Sequence, residues 1–151
     1  ELNFQKIATL EEAKEKIENM PEILKMAKDW SLFLSKDLTG PKHGYNTISN
    51  YLIEGSYLAK YAYSWATGVD ITFTSSHTLS NPPFTNELVE NFEIYNENAF
   101  SCEVYLIKHM IIKGNKKLDY TMHDRMYFVR INGEWKLVNM EAMTEGENQN
   151  E

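Results

Sequence analysis

The sequence predicts an α+β fold in which N-terminal helices pack on a curved antiparallel sheet of four to five strands. Three observations predict it. Before Gly68, apolar residues recur every three or four positions, which is the period of a helix. After Gly68 they alternate with polar residues, which is the period of a strand. The dipeptide Asn132-Gly133 is typical of a two-residue hairpin turn, because both positions of such a turn need a positive φ. Helices grouped before strands in the sequence form separate layers in the fold.

Two helices are expected in the first part of the chain. Thr9 followed by Glu12 is a capping-box pattern, so the first helix begins there, and its apolar positions continue until Pro21 ends it. Because proline is tolerated at the first position of a helix, a second helix starts at Pro21 and runs to the breakers at 39–41. These two helices are expected to form a pair.

A third helix is expected over about 47–66, where apolar residues are spaced for one inward face. Gly68 is placed to cap its C-terminus. Gly55 is its weak point, since a glycine inside a helix costs about 1 kcal/mol relative to alanine. Gly55 therefore marks either a break in this helix or the close approach of another segment.

The remainder of the chain is expected to form strands separated by turns. Segment 77–86 contains Pro82 and Pro83, which cannot donate to a strand ladder, so this segment is expected to be a loop. Residues 96–98 and 114–115 are turn signals. The expected strands cover 69–75, 87–95, 99–113, 116–131 and 134–142.

Composition narrows the classes of function. The chain has 151 residues, a formal net charge of −7 and a single cysteine, Cys102. This length suits one domain, expected over 1–143, followed by an acidic tail over 144–151 that is expected to be disordered. One cysteine excludes an intramolecular disulfide and a cysteine-built zinc or iron–sulfur site. The negative charge argues against nucleic acid as a partner, because phosphate binding needs clustered lysine and arginine.

The sequence also suggests a location. No run of apolar residues reaches the length of about 18 that a membrane-spanning helix needs. The chain starts at Glu1 rather than at methionine, so we expect a processed protein or an excised piece. We therefore expect an extracytoplasmic domain, secreted or tethered, whose membrane contact is made only through a segment not present in this chain. A cytoplasmic location is the alternative.

The last hairpin combines a glycine turn with a following aromatic residue and an aliphatic strand. A strand at 126–131 (MYFVRI) leads into the turn at 132–133, and an aromatic residue and an aliphatic strand follow at 134–138 (EWKLV). Together with the order of helices and strands over 21–142, this hairpin resembles the nuclear transport factor 2-like (cystatin-like cone) superfamily. The resemblance implies a cone of helices packed in a strongly curved sheet. Members include isomerases, dehydratases, noncatalytic ligand binders, transport adaptors and membrane-anchored assembly domains of conjugative secretion systems.

The turns predict which strand residues face each other. A two-residue turn at 114–115 pairs Tyr105 with Asp124. By the same count His109 pairs with Tyr120. These four residues then share one face of the sheet, because side chains alternate between the two faces.

A two-residue turn at 132–133 likewise pairs Phe128 with Leu137. Further from the turn, Met126 then pairs with Asn139. Both faces of the resulting sheet carry apolar residues. Since the helices suffice to cover one face, we expect the other face to meet a second subunit or another protein.

The polar residues on the shared face are the candidate catalytic set. Asp124 or His109 would act as a general base, since a carboxyl among aromatic rings has a raised pKa. Tyr105 or Tyr120 would donate a hydrogen bond to a developing oxyanion, as in the isomerase-like members of the superfamily. Two further carboxylates are expected nearby on this face, Glu103 and Glu141.

A packing role is the alternative for the same residues. A tyrosine at a strand centre usually packs with its hydroxyl at the rim. Asp124 beside Arg125 is typical of a solvated strand end. In addition, a loop over 113–116 longer by one residue would place His109 and His123 on the same face and divide the candidate set.

The leading hypothesis is a noncatalytic protein-binding or assembly domain whose sheet face binds a protein partner or a second copy of the chain. The four histidines lack the spacing of metal ligands, and the sequence contains no phosphate-binding glycine loop and no nucleophile elbow. We therefore expect neither a metal nor a cofactor. The alternative is a small-molecule binder, or an isomerase- or dehydratase-type enzyme, with a pocket between helices and sheet that takes a small apolar ligand.

Overall fold

After one short strand the helices come before the remaining four strands, and the predicted combination of N-terminal helices and an antiparallel sheet is confirmed. The computed structural model describes residues 5–35, 45–67, 77–112 and 115–143, and within these ranges the fold is α+β. The elements are, in chain order, β1 (Gln5–Thr9), α1 (Leu10–Lys14), α2 (Ile23–Ser35), α3 (Tyr45–Ser49), α4 (Tyr57–Thr67), β2 (His77–Asn96), β3 (Ala99–Ile112), β4 (Lys116–Ile131) and β5 (Glu134–Ala142).

The five strands form one curved antiparallel sheet in the order β1-β2-β3-β4-β5. Strand β1 was not predicted, and it pairs with β2 at the edge of the sheet, with Ile7 opposite Phe92. Five residues with mostly exposed side chains give too short a pattern to identify a strand. The predicted strand 69–75, the helix stop at 39–41 and the tail 144–151 lie outside the described residues.

The predicted cap of the first helix is confirmed. The backbone N–H of Glu12 donates to Thr9 Oγ1 at 3.2 Å. The helix is shorter than predicted, because α1 ends at Lys14 rather than continuing to Pro21. Turns follow, and one of their residues, Asn19, has a φ of 54° that no helix can contain.

The predicted third helix is two helices. Gly55 separates α3 from α4 and has a φ of +84°, which a helix cannot accommodate. The break that Gly55 was expected to mark is therefore confirmed. The C-cap predicted at Gly68 lies outside the described residues.

The prediction of a loop over 77–86 is wrong, because β2 runs through this segment. Leu79 pairs with Met110. The next pair along the ladder joins Phe84 to Lys108. The four intervening residues of β2, which include both prolines, therefore bulge opposite a single residue of β3, where no ladder donor is required.

The predicted register between β3 and β4 is wrong by one residue. Tyr105 pairs with His123. His109 pairs with Asp119. The connection between β3 and β4 has three residues rather than two, because Ile112 pairs with Lys116. Asn115, the last of the three, has a φ of 62°. The longer-loop alternative is thus the observed arrangement.

The last hairpin follows the prediction near its turn. Phe128 pairs with Leu137 as expected. Beyond it, Met126 pairs with Met140 rather than with Asn139, because a register shift between the two pairs inserts one extra residue into β5. A bulge of this kind adds twist and leaves no periodic signal in the sequence.

The core lies between the helices and one face of the sheet, which we call the inner face. Phe100 is at its centre: its ring centroid is 5.1 Å from that of Phe128 and 5.2 Å from that of Trp135. Helices α1 and α2 contribute side chains to the same cluster. The largest fully buried side chains are Phe92, Phe100, Phe128, Ile17, Ile48, Leu106, Met126 and Leu137.

Hydrogen bonds fix the helices to the inner face. The backbone N–H of Leu137 donates to the carbonyl oxygen of Tyr51 at 2.7 Å. Arg130 Nη1 donates to the carbonyl oxygen of Glu18 at 2.9 Å. These contacts join β5 to the segment after α3, and β4 to the segment after α1. None of the helices in the described ranges has the length and apolarity needed to cross a bilayer.

Candidate functional site

The sheet divides the four predicted site residues into two pairs. Tyr120 and Asp124 lie on the inner face, because Asp124 pairs with the fully buried Val104. Tyr105 and His109 lie on the opposite face, which we call the outer face. The prediction that all four share a face is therefore wrong, and the one-residue error in register is the reason.

Asp124 is the titrating group of the inner face. Burial raises its pKa from 3.8 to about 6, against a smaller opposing effect of His123. Burial also raises the pKa of Tyr120, and the charge of Asp124 adds to this effect. A carboxyl that titrates near pH 6 can act as a general base close to neutral pH.

Lys108 is a buried cation on the same face, only 3% exposed. Its Nζ donates to the backbone carbonyl of Ser31 at 2.9 Å and lies 5.4 Å from the centroid of the Tyr120 ring. Sequence analysis overlooked Lys108. The signal was present, since Lys108 interrupts an otherwise apolar row of alternate residues between Val104 and Met110.

On the outer face, His109 is held between two side chains from neighbouring strands. Its Nδ1 lies 2.8 Å from Asp119 Oδ1, and its Nε2 lies 2.7 Å from Thr85 Oγ1. We call this group the Thr85–His109–Asp119 triad. Thr85 was not considered, because 77–86 was predicted to be a loop, and Asp119 was missed because of the register error.

A second polar group on the outer face surrounds Glu103, one of the two carboxylates expected near the site. Glu103 Oε1 lies 2.9 Å from His123 Nε2, and Glu103 Oε2 accepts from Arg125 Nη2 at 3.3 Å. Asn91 Nδ2 also donates to Oε2 at 3.3 Å. Arg125 Nη1 donates to Ser101 Oγ at 2.7 Å. We call these five residues the outer polar cluster.

The electrostatics of the cluster favour ionised Glu103. Burial opposes ionisation of this carboxyl, but the hydrogen bonds from His123 and Asn91 and the charge of Arg125 outweigh burial and lower its pKa. The other expected carboxylate, Glu141, accepts a hydrogen bond from Tyr127 Oη at 2.7 Å. Most of these charges are thus already paired within one chain.

Three open surface grooves lie among the described residues. One groove of about 560 Å³ lies between α3 and α4 and is lined by Tyr45 and Tyr63. A second, of about 520 Å³, lies between the start of α2 and the last hairpin. A third, of about 580 Å³, lies between α2 and the proline bulge of β2. The linings of these three grooves do not include Asp124 or His109.

The described residues contain neither a ready group of metal ligands nor a reactive thiol. Within the described ranges, no group of three or more His, Cys, Asp or Glu side chains is arranged to hold a metal ion. Cys102 is fully buried, and burial raises the pKa of its thiol, so the reactive thiolate is disfavoured.

No protein-family model matches the chain, and no curated protein is significantly similar to it in sequence.

Proposed function

We propose that the chain is a noncatalytic assembly domain that forms a homodimer through the outer face of its sheet. The observation that carries the proposal is an apolar patch at the centre of that face, exposed at Leu88 and half-buried at Tyr105 and Ile107. Leu88 is 47% exposed and pairs with Tyr105, and Ile107 is the next outward-facing residue of β3. Among the described residues the helices pack on the inner face, so this patch is left for a partner.

The surroundings of the patch favour a second copy of the chain as that partner. In a two-fold interface the same patch meets itself, so an apolar centre is self-complementary and unpaired charges of one sign are not. The patch lies between the outer polar cluster and the Thr85–His109–Asp119 triad. Arg125 is already paired with Glu103, and His109 contacts Asp119, so two faces can meet without leaving these groups unpaired.

The size of the face suits a stable dimer. Strand β3 has 14 residues and β4 has 16. A strand of this length extends roughly 48 Å, whereas β5, with 9 residues, extends roughly 31 Å. With strands roughly 4.8 Å apart, β2 to β5 offer about 600 Å². That area is at the lower end of the roughly 600–1,000 Å² that each partner contributes to a standard interface.

Sedimentation equilibrium tests the proposal. We expect the wild-type chain to dimerise, and Leu88→Glu to be monomeric because it places a charge at the centre of the interface. Tyr57→Glu is the matched control, since Tyr57 is an exposed apolar residue on α4 and should not affect association. A wild-type chain that stays monomeric at the highest attainable concentration, or equal association of both variants, would contradict the proposal.

The expected resemblance and location remain proposals. The order of helices before an antiparallel meander, together with a filled concave face, supports membership of the nuclear transport factor 2-like superfamily. An assembly domain tethered outside the cytoplasm is one of the roles that this superfamily includes, and it agrees with a dimerising sheet face.

A second candidate function is favoured by Asp124. The Asp124 carboxyl, with its raised pKa, could serve as a general base, and Tyr120 on the same face could donate a hydrogen bond. A small-molecule binder or an isomerase- or dehydratase-type enzyme needs such groups on its inner face. A thermal-shift screen with small carboxylic acids and sterols tests it, since a ligand that binds only the folded state raises the melting temperature. The shift should be lost in Asp124→Asn. A screen without any shift would leave the inner face with a packing role only.

A further inference from the structure

We infer that Thr85 is an acyl-accepting residue whose hydroxyl is activated by His109 and Asp119. The inference goes beyond the proposed dimer and does not depend on it. It concerns one covalent modification of the outer face by an activated carboxylic ester or thioester. The observation behind it is the continuous chain of two short hydrogen bonds, 2.7 Å and 2.8 Å, that joins the three side chains.

In a neutral imidazole these contacts determine which nitrogen carries the proton. An ionised carboxylate can only accept hydrogen bonds, so Asp119 Oδ1 takes the proton on His109 Nδ1. In the neutral ring Nε2 is then an acceptor, and the hydroxyl of Thr85 donates to it. This is the connectivity of a nucleophile, a base and a group that orients the base.

The sheet holds the triad in place. Its three members come from the neighbouring strands β2, β3 and β4, and the pairing of His109 with Asp119 follows directly from the strand register. Thr85 reaches His109 because the proline bulge of β2 ends at Phe84, after which Thr85 pairs with Ile107 and so shares the outer face. Side chains on paired strands are better fixed than side chains on loops.

In the single chain the triad is also accessible. The side chain of His109 is 26% exposed and that of Asp119 is 59% exposed. An open sheet face offers no deep pocket, so it suits a small donor with a good leaving group rather than a large substrate that must be enclosed. Aryl esters and thioesters of short acids belong to this class.

The acyl transfer to Thr85 forms one bond at the carbonyl carbon and breaks one. Thr85 Oγ1 attacks the carbonyl carbon of the donor, and its proton passes to His109 Nε2. The new carbon–oxygen bond replaces the bond to the leaving aryloxide or thiolate, which departs with the electron pair and takes the proton from His109. The product is an ester on Thr85. Asp119 acts as a positioning residue, because it holds the imidazole in the required tautomer.

Treatment with p-nitrophenyl acetate, followed by mass spectrometry of the intact chain and of its peptides, tests the inference. We expect one acetyl group on Thr85. Thr85→Val should remove it and Thr85→Ser should retain it. His109→Gln should slow labelling by roughly 100-fold, the lower end of what a positioned general base contributes. Asp119→Asn should also slow it, and Asp119→Glu should restore part of the rate, which a merely structural role would not.

Thr121→Val is the matched control, because Thr121 pairs with Ile107 on the same face and is outside the triad. It should label at the wild-type rate. Labelling is also measured on Leu88→Glu, so that dimer formation cannot hide the site, and circular dichroism verifies the fold of each variant. Acetylation confined to lysines, or a Thr85 ester that forms equally fast in His109→Gln, would overturn the inference.

Discussion

Val104 pairs with Asp124 across β3 and β4, and this pairing places a carboxyl on the face of the sheet that packs against the helices. Val104 is fully buried, and the burial of Asp124 raises its pKa to about 6 from the value of 3.8 expected without the fold. Folding therefore disfavours the ionised form of this carboxyl. Asp124 is a group that the chain retains at a cost to its stability near neutral pH.

We expect Asp124→Asn to increase the free energy of unfolding at about pH 8 and to change it little at about pH 4. Between 3.8 and about 6 the folded state binds more protons than the unfolded state, so stability falls as the pH rises through this interval. The full shift corresponds to at most about 3 kcal/mol. Because the carboxyl is partly exposed, solvent screening reduces the expected gain to about 1–2 kcal/mol.

Urea unfolding of both proteins at the two pH values measures this difference. Glu54→Gln is the control, since Glu54 is exposed and its removal should change stability equally at both pH values. A stabilisation by Asp124→Asn that is as large in acid as in base would show that the ionisation of Asp124 is not its cause.

The outer polar cluster should be sensitive to the loss of Arg125. Arg125→Met removes one donor from the Glu103 carboxylate and one from the Ser101 hydroxyl, and both groups are largely buried. We expect a loss of about 2–4 kcal/mol, below the full cost of an uncompensated buried charge, because His123 and Asn91 still contact Glu103. Lys117→Met, at an exposed position on the same face, should change stability by no more than about 0.5 kcal/mol. Denaturant unfolding of the two variants makes the comparison, and equal effects would rule out a special role for the cluster.

Strong local signals predicted the architecture. The change from helical to strand period, the cap at Thr9 and the turn at Asn132-Gly133 all depend on neighbouring residues only, and the structure agrees with each of them. The break at Gly55 belongs to the same class, since its positive φ is a property of one residue. Such features can be predicted because their causes are local.

The candidate site could not be predicted as well, because it depends on register. The sequence around 114–115 is compatible with a turn of two residues and with a turn of three. The two turns differ in register by one residue, so every residue of one strand changes face between them. His109 consequently contacts Asp119 rather than Tyr120. Likewise, the proline bulge brings Thr85 beside His109. These residues are far apart in the chain, so no short-range sequence pattern predicts their contact.

The aromatic core provides a test of the packing. The Phe100 ring lies between those of Phe92, Phe128 and Trp135, with centroid distances of 5.9, 5.1 and 5.2 Å. We expect Phe100→Ala to destabilise the fold by about 3–5 kcal/mol, because it removes buried apolar area and leaves a cavity. Thermal and urea unfolding measure the loss. Tyr57→Ala removes a ring that is 79% exposed and should have almost no effect, so similar losses in both variants would contradict this account of the core.

The turn of the last hairpin tests how much stability depends on the backbone conformation of Gly133. Gly133 has a φ of +81°, and a Cβ added there would meet nothing within 4 Å. The cost of Gly133→Ala therefore comes from forcing an L-residue into the left-handed region, about 1–2 kcal/mol, against a smaller gain from the reduced freedom of the unfolded chain. Asn132→Gly is the opposite change at a neighbouring position with a φ of 53°, and it should alter stability by no more than about 0.5 kcal/mol, since glycine relieves strain but gains freedom in the unfolded chain. Urea unfolding should show a lower midpoint for Gly133→Ala at an unchanged slope, whereas an unchanged midpoint would mean that this turn does not need a glycine.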